Sequence, residues 1–114
     1  MNNSYLIFFL VFILAISGCS PTSQNMDDFW NYSQTRKSDL QLSVYITAQT
    51  VQQVFTVEAG RREAVSVLRC NGISKVYVEV YRPELVVSTD LLEKTVAFLK
   101  KNGFEVVGGI ATLP

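Results

Sequence analysis

Histidine is absent from the chain, which excludes imidazole acid–base catalysis, haem ligation and most zinc sites. Cysteine is scarce: Cys19 and Cys70 are the only two, too few for a disulfide-stapled miniprotein or a thiolate metal cluster. An excess of either charge is also missing. Ten lysines and arginines balance ten aspartates and glutamates, so the net charge is zero. That argues against a partner bound mainly by charge, such as duplex nucleic acid or an anionic membrane surface. Arg61-Arg62, flanked by Glu58 and Glu63, reads as a solvated helix face rather than a basic stripe. The 114 residues leave room for one domain at most. No cofactor motif and no metal-ligating cluster stands out. Gly108-Gly109 has no following helix start with a lysine, so it does not read as a phosphate loop.

Charge is missing from one region altogether, since all charged residues lie between Asp27 and Glu105. Tyr5 to Ile16 is an unbroken run of 12 apolar or aromatic residues. A spanning helix needs about 20, so the run fits the apolar core of a secretory signal better. Small residues follow it, and Ile16-Ser17-Gly18-Cys19 resembles the lipobox of bacterial lipoproteins. Met1-Asn2-Asn3-Ser4 departs from such signals in carrying no lysine or arginine. The resemblance implies lipidation at Cys19, removal of residues 1–18, and membrane lipid as a partner through Cys19. The protein would then sit in the bacterial cell envelope, lipid-anchored on the exported side of a membrane. Several acyl chains hold firmly, at about 0.8 kcal/mol per buried methylene, where one alone binds marginally. Cys70, left without a partner, reads as a small half-buried apolar residue.

Residues 19–38 are polar and without apolar period, which reads as a lipidated tether. The cluster Phe29-Trp30-Asn31-Tyr32 within it is expected to pack onto the nearest domain surface, with stacking on sugar rings as the alternative. Residues 39–114 read as an α/β domain. Leu40, Leu42, Val44 and Ile46 alternate with polar neighbours, as in a strand. A short helix or turn near Thr50–Phe55 and a helix from about Val57 to Asn71 follow, the latter stopped by Gly72. Val76, Val78 and Val80 mark a second strand ended by Arg82-Pro83. Asp90 with Glu93 reads as the start of the next helix, Asn102-Gly103 as its stop, and Glu105 to about Thr112 as the third strand.

Strand, helix, strand, helix, strand predicts parallel β-α-β-α-β units with right-handed crossovers. Two helices cover one sheet face and leave Tyr45, Tyr77, Glu79 and Tyr81 on the other. Parallel sheets are normally covered on both faces. A semi-polar bare face therefore points to the opening part of a TIM (β/α)8 barrel, this chain being an incomplete piece of it.

Four segments carry a further resemblance. Tyr45-Ile46-Thr47-Ala48, Glu58-Ala59-Gly60-Arg61-Arg62-Glu63-Ala64, Gly72 through Arg82, and Gly103-Phe104-Glu105-Val106 look like the first units of exported bacterial proteins with a glycosidase-like (β/α)8 barrel. The resemblance implies carbohydrate as ligand and glycoside hydrolysis in the complete barrel. This chain alone is expected to be catalytically incompetent. Glu79, near the carboxyl end of its strand, is the candidate catalytic carboxylate. Tyr45, Thr47, Tyr81 and Arg82 are candidate substrate contacts, with Arg82 also placed to orient Glu79. Hydrolysis usually needs two carboxylates, and no spacing pairs Glu84 or any other with Glu79. The competing expectation is a small non-enzymatic envelope module that binds or self-associates through its uncovered sheet face.

Overall fold

The computed structural model describes residues 23–111. Cys19 and the segment resembling a lipobox lie outside these residues. Among the described residues no helix is long and apolar enough to cross a membrane.

The chain order is α1 (Ser23–Thr35), β1 (Ser43–Ile46), α2 (Ala48–Val54), α3 (Glu58–Cys70), β2 (Lys75–Arg82), β3 (Leu85–Val86), α4 (Thr89–Lys101) and β4 (Glu105–Ile110). β2 is the middle strand. It pairs in parallel with β1, placing Tyr45 beside Tyr77, and in parallel with β4, placing Glu79 beside Gly109. The two-residue β3 returns antiparallel on the end of β2, with Tyr81 opposite Val86. The sheet is therefore mixed rather than purely parallel. The sequence reading missed β3 because it took Arg82-Pro83 as a plain strand end. Pro83-Glu84 instead forms a tight turn in which Glu84 has φ 70°, a conformation more usual for glycine.

Local chemistry explains the helix ends. The Thr47 side chain caps α2 by accepting the Thr50 N–H at 3.2 Å. Ser88, not Asp90, caps α4 by accepting from the Leu91 N–H, while Asp90 sits in the first turn where a carboxylate suits the dipole. α3 and α4 both stop at glycines of positive φ, Gly72 at 64° and Gly103 at 92°. After each, the next N–H turns back onto the helix: Ile73 to Leu68 O and Phe104 to Leu99 O.

The core lies between one sheet face and the helices. Val76 and Val78 of β2 and Ile46 of β1 meet Val51 of α2 and Phe55 at its end, Val65 and Leu68 of α3, and Leu99 of α4. Burying such a side chain contributes about 1.5–3 kcal/mol. Gly60 lets α3 pass close to the end of α2, for a Cβ there would lie 2.1 Å from Val54 O.

The segment read as a tether is helical from Ser23, and its aromatic residues explain why. Trp30 is buried, with its ring 5.1 Å from that of Phe104 and the Arg69 guanidinium 5.5 Å from its centroid. Phe29 lies over Gly72, and Ser33 donates to Gly72 O at 2.6 Å. α1 thus straddles the two glycine turns that lead into β2 and β4. It occupies the amino-terminal end of the parallel strands.

Candidate functional site

At the opposite end of the strands sits one buried carboxylate. Glu79 has no exposed surface, although it lies on the sheet face away from the helices. Four donors hold it. Tyr45 Oη donates to Oε1 at 3.0 Å, and the Ala48 N–H donates to Oε2 at 2.6 Å. Arg82 donates from Nε to Oε2 at 3.1 Å and from Nη2 to Oε1 at 3.3 Å. Within this hydrogen-bonded cluster Glu79 is the single carboxylate.

A backbone irregularity makes the ion pair possible. In a regular strand, side chains three residues apart point to opposite faces. Glu79 pairs with Gly109 and Tyr81 with Ile110, so Val80 is an extra residue in β2. This bulge shifts the alternation by one position. Arg82 consequently joins Glu79 on the open face. The same shift removes Tyr81 from that face, where the sequence reading had placed it. Tyr81 instead lines an apolar groove with Val80 of β2 and Leu92 and Val96 of α4.

Gly109 makes room for the Tyr45 ring beside the carboxylate. A Cβ there would lie 2.7 Å from Tyr45 Cε2, so a side chain at this position would displace the ring. The Tyr45 ring lies across the middle strand, with its hydroxyl on Glu79 and its edge against β4. Close approach is what a glycine inside a strand often signals.

The electrostatics favour a charged Glu79. Burial pushes its carboxyl up, but the Ala48 N–H, the Arg82 guanidinium and the Tyr45 hydroxyl together outweigh that and hold it below its ordinary value of 4.5. The Tyr45 hydroxyl moves the other way. Burial, its bond to Glu79 and the Glu79 charge raise it above 10.0 despite nearby Arg82. A proton-donating catalytic acid needs a raised carboxyl and access to substrate. Glu79 has a lowered carboxyl and no open surface. Its geometry suits holding a guanidinium in place.

The other sequence candidates divide accordingly. The Thr47 hydroxyl is taken up in capping α2 and in a 3.0 Å contact with the Thr50 hydroxyl. The Tyr45 hydroxyl is spent on Glu79. Arg82 retains spare capacity: a guanidinium has five N–H donors, two are used on Glu79, and its side chain is 36% exposed. Sequence reasoning missed the Ala48 N–H, a main-chain donor that no residue type announces. It also missed the Gly109–Tyr45 contact, although the glycine pair itself was a signal of close approach.

These observations define a class before they define a family. The domain is a mixed α/β unit in which sequential parallel strands bring a polar cluster to their carboxyl ends. Residues 24–114 match the sequence model of a family described as "Probable glycosyl hydrolase, catalytic domain", and the chain belongs to that family. The match begins inside α1, so the helix belongs to the family's domain. No curated protein matches the chain, and no solved structure matches it.

Proposed function

We propose that this chain is the opening portion of a glycosidase-like (β/α)8 barrel, anchored through a lipid on Cys19 to a membrane of the bacterial envelope. One observation carries the barrel reading. β1, β2 and β4 lie side by side in chain order, and among the described residues α2, α3 and α4 all pack on the same face. Continued in the same sense, that arrangement curls into a barrel with the open face inward. Tyr45, Tyr77, Glu79 and Arg82 would then line its interior toward the carboxyl ends, where barrel enzymes bind substrate.

In this reading Glu79 is a positioning residue and Arg82 the substrate contact. The carboxylate fixes one edge of the guanidinium and leaves the other to donate to hydroxyl or ring oxygens of a carbohydrate. Because Glu79 already neutralises it, Arg82 offers directed hydrogen bonds more than net positive charge. The catalytic carboxylates would come from later strands, and residues 23–111 alone would not hydrolyse a glycoside.

The test is to read the native coding frame past the Pro114 codon. Further strand–helix units with carboxylates at strand ends support the barrel. A stop codon there overturns it and leaves a small binding module. Lipidation is tested by labelling cells with a fatty-acid analogue. Label on the parent and none on Cys19→Ala supports the anchor, whereas an unlabelled parent removes it.

A further inference from the structure

Large apolar side chains exposed to water are not scattered evenly over the described surface. Phe29, Tyr32, Leu40 and Leu42 are 45, 60, 67 and 37% exposed. All four line one concave patch with Ser33, Arg36 and Asp39. A contiguous apolar patch of this kind marks an interaction surface. Its charges are internally matched. Arg36 pairs with Asp39 at 3.1 Å, and its guanidinium stands 5.8 Å from the centre of the Tyr32 ring.

Two further facts choose the occupant. The patch lies on α1 and the chain leading into β1, at the amino-terminal end of the strands. Only six residues, 17–22, separate the apolar run ending at Ile16 from the start of α1 at Ser23. Six residues span at most about 20 Å when fully extended. A membrane reached by that run or by a lipid on Cys19 is therefore within reach of this end of the domain. Aromatic rings with Leu beside them and the Arg36–Asp39 pair at the edge suit the headgroup boundary.

We propose that this patch lies against the lipid surface, so that α1 serves as an interfacial foot for the domain. It rests on the anchoring reading given above. Contact is made by apolar and aromatic groups rather than by net charge, so raised salt leaves it in place. The arrangement fixes orientation. β2 is eight residues long, on the order of 25 Å at 3.3 Å per residue, and Arg82 stands at its far end. The carbohydrate-facing end would then point away from the bilayer.

The test uses the full chain made in bacterial membranes and reconstituted into vesicles of phosphatidylethanolamine and phosphatidylglycerol. Nitroxide labels are placed at Tyr32→Cys and Leu40→Cys, with Glu84→Cys as the distal control, each with Cys70→Ser. The label replaces one apolar side chain by another, so the patch keeps its character. The ratio of oxygen to nickel-chelate collisions reports depth in lipid. The expected ratio at positions 32 and 40 is about threefold or more above that at 84, unchanged in high salt. Equal ratios at all three positions, in protein that floats with the vesicles, overturn the interfacial foot and leave the anchor standing. Loss of both collision partners at 32 and 40 means protein covers the patch, and also overturns it. Protein that fails to float, with a second label on Cys19, removes the anchor and the foot together.

Discussion

The two ends of the parallel strands are built by different means. At the amino-terminal end, contact is made by shape. Trp30, Phe29 and Phe104 fill the space around two glycine turns, and ion pairs lie at the rim, such as Lys75 with Glu105 at 2.9 Å. At the carboxyl end, contact is made by one charge and its four donors. The first design spreads its stability over many weak contacts. The second concentrates it in a group whose removal leaves others unmatched. The amino-terminal end thus resembles a foundation, and the carboxyl end a fixture that holds one guanidinium still.

The comparison is tested most severely by Arg82→Ala. It strands the Glu79 charge on its two remaining donors, Tyr45 and the Ala48 N–H, in a buried place, and breaking such a pair costs about 3–5 kcal/mol. Denaturant melts should show that loss, with Arg82→Lys recovering only part of it, since an ammonium cannot bridge both oxygens side-on. A loss below about 1 kcal/mol would place Arg82 among ordinary surface pairs and erase the contrast.

Trp30→Ala comes next, with an expected loss of about 3 kcal/mol from the emptied site and the lost ring contact. Trp30→Phe should recover most of it, because this end depends on filled volume. A Trp30→Phe variant as damaged as Trp30→Ala would show that the indole nitrogen or its contact with Arg69 matters more than volume.

Acid sharpens the comparison further. The Glu79 carboxyl is held below 4.5 in the folded state, so its contribution is present above that value and is lost as pH falls through the folded value. Glu105 is lowered too, by Gln41 and Lys75, but its side chain is 52% exposed and its pairing is open to salt. Glu79→Gln should therefore be less stable than the parent at pH 7 and should flatten the stability curve below pH 4.5. Glu105→Gln should leave that curve close to the parent's. Melts across pH at low and high salt read both results. The smallest effect expected is Thr47→Ala, about 1 kcal/mol from the lost cap of α2. A much larger loss would mean that the cap also holds the Ala48 N–H on Glu79.

Much of the fold is legible in the sequence. Period-two valines mark β2, and an asparagine–glycine stop closes both α3 and α4. α1 was not legible. Its large apolar residues are few and show no helical period, and only the tertiary surface around Gly72 and Gly103 gives Phe29 and Trp30 something to pack on. The site was legible in its residue types but not in its arrangement. Glu79 and Arg82 are an evident pair, yet strict alternation puts them on opposite faces. The bulge that reunites them comes from the meeting of β2 with β4, two strands distant in sequence. Tyr81 was misplaced for the same reason, since it follows the bulge. Capping at Thr47 was hidden because a hydroxyl at a strand end serves a helix start and a ligand equally well.

The contact between Tyr45 and Gly109 bears on the order in which the protein folds. The two residues stand 64 positions apart, and β1 and β2 leave the ribosome before β4 exists. Until β4 docks, the tyrosine ring has nothing to lie against and water still reaches the carboxylate. Its dehydration therefore belongs to the last step of assembly, after the valine core has formed. Substitutions at Tyr45 and Gly109 should accelerate unfolding far more than they slow folding. The polar fixture at the strand ends would be the latest part of the molecule to arrive and the earliest to leave.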